Sequence, residues 1–293
     1  MYKQFFLIPV NNGHSRLTKL KLEENVRFEL LDRYMLEALF DKSENYVYSF
    51  KDFLNSVAAE IEEPKFLVLK FGNTEQTYLE FSNLTYQYAL DLIQKIRLFT
   101  AADIYINEMF LFCSDNKITT CTGQVMTSQP RHGTQNSVSL EEGDIDEFQE
   151  FINIFDLTKS SQKLKEAVSI YNQSFDSLEY GVRIVLLITV LEMLFSNDSK
   201  NEISYRVSRN TAIFLSSNIM DYKDYYKKIR DFYSLRSEYV HSGKTKKIRF
   251  EDVILIQRIV SKTIIKYQRV EKMMDITQDV LSESGFNNPF IGI

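Results

Sequence analysis

Apolar positions follow two different periods along the chain, and the change from one to the other divides it. In the first part, YKQFFLIPV (2–10), PKFLVLKFG (64–72), INEMFLFCS (106–114) and KITTCTGQVM (117–126) are rich in β-branched and aromatic residues and bounded by Gly, Asn or Asp. Such runs predict strands. Between them, ENVRFELLDRYMLEALF (24–40) and LTYQYALDLIQKIRLF (84–99) carry apolar residues at helical spacing and predict helices. TSQPRHGTQNSVSLEEGD (127–144) is polar and turn-rich, which places a linker there.

Beyond that linker the pattern is helical throughout. Pro9, Pro64 and Pro130 fall before it and the next proline is Pro289, so a long proline-free stretch is open to helices. The periodicity predicts helices near 144–157, 160–174, 177–196, 202–216, 222–241 and 250–273. Asp144 with Glu147 and Asp176 with Glu179 have capping-box spacing at two of the starts. The 177–196 segment contains RIVLLITVLEMLF, apolar around nearly its whole circumference, as only a helix surrounded by others tolerates. The expected fold is an α+β N-terminal domain of unknown role (1–143), an all-α antiparallel helical bundle (144–276) and an irregular tail (277–293).

Composition narrows the function classes. With 293 residues, 44% of them hydrophobic, the chain can bury a large core. A net charge of −5 disfavours a general nucleic-acid coat. Cys113 and Cys121 are too few for a thiolate zinc site or a disulfide scaffold, which points to a reducing cytoplasm and core thiols. The start lacks an export signal, and the longest apolar run, Ile184 to Leu191, is far short of a membrane span, so no membrane partner is expected. The Walker A, dinucleotide-binding, H-E-x-x-H and G-x-S-x-G motifs are absent from the sequence. Glu141, Glu142, Asp144, Asp146 and Glu147 are oxygen donors of the type magnesium uses, and a metal-dependent nuclease built on them is one alternative. The plainer account is a solvated loop entering a helix N-terminus, so neither a metal nor a cofactor is expected. His14 and His132 sit beside Gly13 and Gly133 in polar loops.

His241 differs from the other two histidines. Arg236 precedes it by five positions in DFYSLRSEYVHSGK, and Gly243 can close the helix in the left-handed conformation. Five residues along a helix is a rotation of about 140°, so the pair shares one site only if the helix ends or deforms there. The order LEMLFS (191–196), YRVSRNTAIFL (205–215), YYKKIRDFYSLRSEYVHSGK (225–244) and a last amphipathic helix resembles the HEPN domains, most of all their Apea-like branch. The resemblance covers about 180–272, and the R-S-x-x-V-H-x-G segment is its most specific part.

That resemblance implies a helical bundle pairing into a homodimer, with two R-x4-6-H motifs facing one another as a metal-independent endoribonuclease. It implies catalytic roles for Arg236 and His241, and a setting in antiphage defence, abortive infection or toxin systems. Ser237 stands where many active members place Asn, Asp or His, and a catalytically inactive module that dimerises or binds RNA or protein is the other alternative.

The chemistry of the residues is consistent with RNA as substrate. RNA supplies its own nucleophile, the 2′-OH, and cleavage needs a base, an acid and positive charge on the transition state. Histidine suits both proton transfers, but one histidine per chain supplies only one at a time, which is a reason to expect a dimer. Residues 201–270 hold 15 Lys and Arg against seven Asp and Glu, a local net of +8 in an acidic chain. Lys244, Lys246, Lys247 and Arg249, with Tyr239 as a base-stacking ring, are the expected RNA contacts. Glu192, inside the apolar helix, needs a cation, either Arg236 or Arg209. Glu192, Arg209, Ser237 and Glu238 are the expected supporting residues. A regulatory protein or ligand is expected at the N-terminal domain.

Overall fold

A computed structural model describes residues 4–41, 43–46, 49–57, 65–73, 78–115, 118–125, 136–196, 202–243, 248–273 and 276. The chain separates into two compact units, Met1–Asn153 and Ile154–Ile293.

The N-terminal unit is built on a sheet of six strands in the order β2-β4-β1-β5-β6-β3. The strands are β1 (Gln4–Pro9), β2 (Val26–Asp32), β3 (Ser43–Tyr46), β4 (Lys65–Asn73), β5 (Glu108–Asp115) and β6 (Ile118–Val125). β1 lies between β4 and β5, antiparallel to both, with Phe6 opposite Phe71 and Leu111. Strand alternation sends Leu7, Val68, Phe110 and Phe112 to one face. There they pack with Leu36 and Phe40 of α1 (Arg33–Asp41) and Phe53 of α2 (Phe50–Ser56). The opposite face is met by α3 (Tyr78–Thr100), whose Phe81 lies 4.9 Å from Phe6 and whose Tyr88 meets Phe71 edge-on. Cover on both faces explains why β1 and β4 read as continuous apolar runs instead of alternating.

Three expectations are corrected in this unit. The stretch 24–40 is not one helix: Val26 to Asp32 forms the edge strand β2, and only then does α1 begin. V-R-F alternates strictly, burying Val26 and Phe28 and exposing Arg27, and a paired neighbour, β4, rewards that period. Asp32 then accepts from the Tyr34 amide at 2.8 Å as the helix starts. Both β3 and α2 were unforeseen; α2 is begun by a Ser49–Asp52 capping box. The boundary also moves. α4 (Asp144–Ile154) belongs with the sheet, because Phe148 stacks on Phe99 of α3 at 4.5 Å and the Gln149 amide both accepts from and donates to the Lys21 backbone.

The C-terminal unit is helical, with α5 (Gln162–Ser174), α6 (Tyr180–Phe195), α7 (Ile203–Leu215), α8 (Ile219–Ser242) and α9 (Phe250–Val270). α6 is the central helix and packs against the other four. Its Ile184, Leu187, Ile188, Val190 and Leu191 are fully buried, as the all-round apolar pattern requires. Neither expected pair caps its helix as the spacing predicts: the N-cap of α6 is Glu179 and not Asp176. Asp144 accepts from the Glu141 amide, and Glu179, at the start of α6, makes no side-chain cap.

The tail 277–293 and His132 lie outside the described residues. Among the described residues no helix is long and apolar enough to cross a membrane. Phe148→Ala is expected to destabilise the N-terminal unit by about 3–5 kcal/mol, the cost of emptying a fully buried aromatic site, measured by urea unfolding.

Candidate functional site

The site is built on α8, a helix of 24 residues. Asn218 opens it by accepting from the amides of Met220 and Asp221, and Gly243 ends it at φ 65°, with its N–H donated to the Tyr239 carbonyl. The helix is continuous from Arg236 through His241, so the expected end or deformation between them is corrected. Both nevertheless line one open groove of about 820 Å³, together with Ser237, Glu238, Glu192 of α6 and Ser204 of α7.

Helix geometry explains how both reach the groove. Arg230, Ser234, Ser237 and His241 fall at i, i+4, i+7 and i+11 and form one stripe along the groove. Tyr233 and Arg236 lie on the neighbouring row, which faces Glu192, and Arg236 also borders the groove. His241 sits exposed on the last turn.

Glu192 holds the inner wall. Its Oε1 accepts from Tyr233 Oη at 3.1 Å, and its Oε2 lies 3.6 Å from Arg236 Nη2. A carboxylate that is only 22% exposed on an apolar helix would cost several kcal/mol alone, and two partners from one helix offset that. Arg236 is therefore the partner of Glu192, as one of the two expected pairings had it. The contact exceeds hydrogen-bond length, and Arg236 Nε is buried without a hydrogen-bond partner. The guanidinium is thus held against Glu192 by charge and not by a hydrogen bond. Burial, then the charge and hydrogen bond of Glu192, push the Tyr233 phenol well above the ordinary tyrosine range.

Other expected residues are placed elsewhere. Arg209 does not line the groove; it donates to Asn210 Oδ1 at 3.3 Å and bears on Tyr222. Tyr239, two residues and about 200° from His241, turns to α6 instead. Its ring is packed against Gly181, where a Cβ would come within 2.4 Å of it, and its hydroxyl donates to Glu179 at 2.8 Å. Only a glycine at 181 lets the ring approach so closely. Arg249 opens α9 with its amide and guanidinium on Asp252. Lys244, Lys246 and Lys247 lie outside the described residues.

Sequence reasoning missed Arg230, Ser234 and Ser204, although the first two could have been found by stepping back from His241 in helical turns. Of the acidic loop, Glu142 pairs with Lys19 and Arg16, which lowers its pKa, chiefly through the Lys19 hydrogen bond. Among the described residues no three His, Cys, Asp or Glu side chains are gathered as a metal site would need. His14 accepts from the Arg16 amide through Nδ1 and starts a 3-10 turn. In the β5–β6 hairpin Cys113 is registered opposite Thr120, and Cys121 opposite Phe112.

Comparison of the chain with protein-family models, with curated proteins and with solved structures gave no match.

The buried tyrosines give the helical unit an alkaline limit. Tyr267 is pushed up to about 12 by burial and by Glu271, and Tyr233 is raised as well, against an ordinary value of 10.0. The folded chain keeps these protons where the unfolded chain releases them, so the contribution is complete below about pH 10 and falls as pH rises toward 12. Each tyrosine is expected to add a slope of about 1.4 kcal/mol per pH unit in that range, and Tyr233→Phe to remove one such increment, read by denaturant unfolding at several pH values.

Proposed function

We propose that the chain is a metal-independent endoribonuclease of HEPN type, acting as a homodimer. The observation that carries the proposal is the convergence of Arg236 and His241 on one open groove, with Arg236 steadied by Glu192. The R-x4-H spacing and the order of segments around it supply the family resemblance.

In this reading the RNA 2′-oxygen attacks the adjacent phosphorus while His241 of one protomer takes its proton. The P–O5′ bond breaks, and the partner subunit's His241 protonates the leaving oxygen. The products are a 2′,3′-cyclic phosphate and a 5′-hydroxyl. Arg236, always charged and one-third exposed at the groove, stabilises the charge on the phosphorane-like transition state. Glu192 acts through Arg236 as a positioning residue. Ser237 and Glu238 border the reacting phosphate.

The family resemblance further suggests a role in antiphage defence or a toxin system, in the cytoplasm, with control through the N-terminal unit or a regulatory partner. A binding-only module is the second reading, favoured by Ser237, which offers the groove a hydroxyl where many active relatives carry Asn, Asp or His.

Purified protein is expected to cut single-stranded RNA in EDTA and to scatter light as a particle of twice 34.5 kDa. His241→Ala should slow cleavage by about 100-fold or more. Glu192→Gln should lower kcat with the pH profile displaced and the fold intact. Equal cleavage by His241→Ala would remove the site; loss of wild-type cleavage in EDTA would favour the metal-dependent alternative; RNA binding without cleavage would favour the binding module.

A further inference from the structure

The groove does not end at Arg230. α7 and α8 are joined by residues 216–218 and run antiparallel, so positions on one meet positions on the other in reverse order. Ser204 and Arg230 line the groove together, Tyr205 meets Tyr226 edge-on at 6.3 Å, and Arg209 bears on Tyr222. Tyr222 and Tyr226, one turn apart, stack at 6.0 Å with 21° between their planes. They stand on the same row of α8 as Arg230, Ser234, Ser237 and His241. The strip therefore passes from catalytic pair to cation to rings to a second cation.

These rings are not sealed in the core. Tyr205 is 45% exposed, and Tyr222 and Tyr226 are half-buried. Aromatic faces at intervals between guanidinium groups suit an unpaired nucleic-acid strand, because every base offers a face to stack and every linkage a charge to neutralise. A duplex keeps its base faces covered. The excess of basic residues between 201 and 270 is complementary to such a strand.

We infer that Tyr205, Tyr222 and Tyr226 form a stacking platform for an unpaired base of a single-stranded RNA whose backbone follows Arg230 into the Arg236–His241 groove. The inference rests on the proposed function and adds a binding subsite to it. Eleven residues separate Ser237 from Tyr226, a rise of about 16 Å, so the stacked base lies a few nucleotides from the bond that is cut.

The chain contains no tryptophan, which makes a direct test possible. Tyr226→Trp, placed in the full-length His241→Ala protein so that RNA stays intact, introduces one indole fluorophore at the platform. A short RNA oligonucleotide should quench it, and an abasic site walked along the oligonucleotide should relieve the quenching at one or two adjacent positions. The same abasic positions should weaken binding to the His241→Ala protein roughly tenfold in fluorescence anisotropy. That dependence should vanish when Tyr205→Leu and Tyr226→Leu are added. Absence of quenching, or affinity that is uniform along the abasic series, overturns the platform. So does a dimer that dissociates in the Tyr205→Leu, Tyr226→Leu protein with abasic dependence unchanged, which would assign the rings to a second copy of the chain. Cleavage by the wild type without quenching would sink the platform alone; quenching without wild-type cleavage would sink the ribonuclease reading alone.

Discussion

A single carboxylate on an apolar helix sets the geometry of the groove. α6 is buried on nearly every side, and Glu192 is the one acidic residue in it. Its charge has to be met by the neighbouring helix, and α8 meets it twice, with the Tyr233 hydroxyl and the Arg236 guanidinium. The two partners are three residues apart, nearly one turn, so satisfying both oxygens fixes the rotation of α8 against α6 and not only its distance. Once that rotation is set, the row containing Arg230, Ser237 and His241 faces the open side. A second fixed point, the Tyr239 ring on Gly181 with its hydroxyl on Glu179, holds the other end of the same helix pair. Removing either partner of Glu192 leaves a half-buried charge with less compensation, a larger penalty than the pair itself is worth.

The N-terminal unit depends on a different constraint, the cover of both sheet faces. α1 and α2 seal one face and α3 the other, so β1, β4 and β5 lose their alternation while the edge strand β2 keeps it over Val26 to Phe28. That is why β1, β4 and β5 were legible as dense apolar runs, while β2 was mistaken for the start of a helix. VRFELLDRYMLEALF carries apolar residues that satisfy either period, and the partner strand β4, distant in sequence, decides the matter. β3 is four residues long and pairs with β6, far along the chain, which local pattern does not announce. The reassignment of α4 has the same origin. Its two phenylalanines, Phe148 and Phe151, are a helix face like any other until Phe99 is known to lie opposite.

The helical unit was far more legible, since each helix is long and its signal lies in its own residues. Among the described residues the five helices of the unit fall within a few residues of their expected spans. The site was legible in part for the same reason. Arg236, Ser237, Glu238 and His241 are neighbours on one helix, and Glu192 drew notice as a charge in an apolar run. Tyr239 is misassigned because residue type argues for base stacking and says nothing about facing, and Arg209 because Glu192 asks for a cation and residue type cannot choose between two arginines. On α8 the difference between Tyr239 and His241 is two steps of rotation, enough to move one from the groove to the α6 seam. Ser204 came from α7, and no property of its own residue type singled it out.

The antiparallel α7–α8 hairpin has a consequence for how the protein reaches its native state. Groove residues from α6, α7 and α8 all fall between Glu192 and His241, a short stretch of chain whose contacts need little loop closure. The sheet is the reverse case, since β1 cannot find β4 or β5 until residues 65–73 and 108–115 exist and have been brought back to it. Local contacts form fast and distant strand pairings form slowly. The groove is therefore built from contacts of much lower sequence separation than the sheet, whose central pairings join residues about 60 to 110 positions apart.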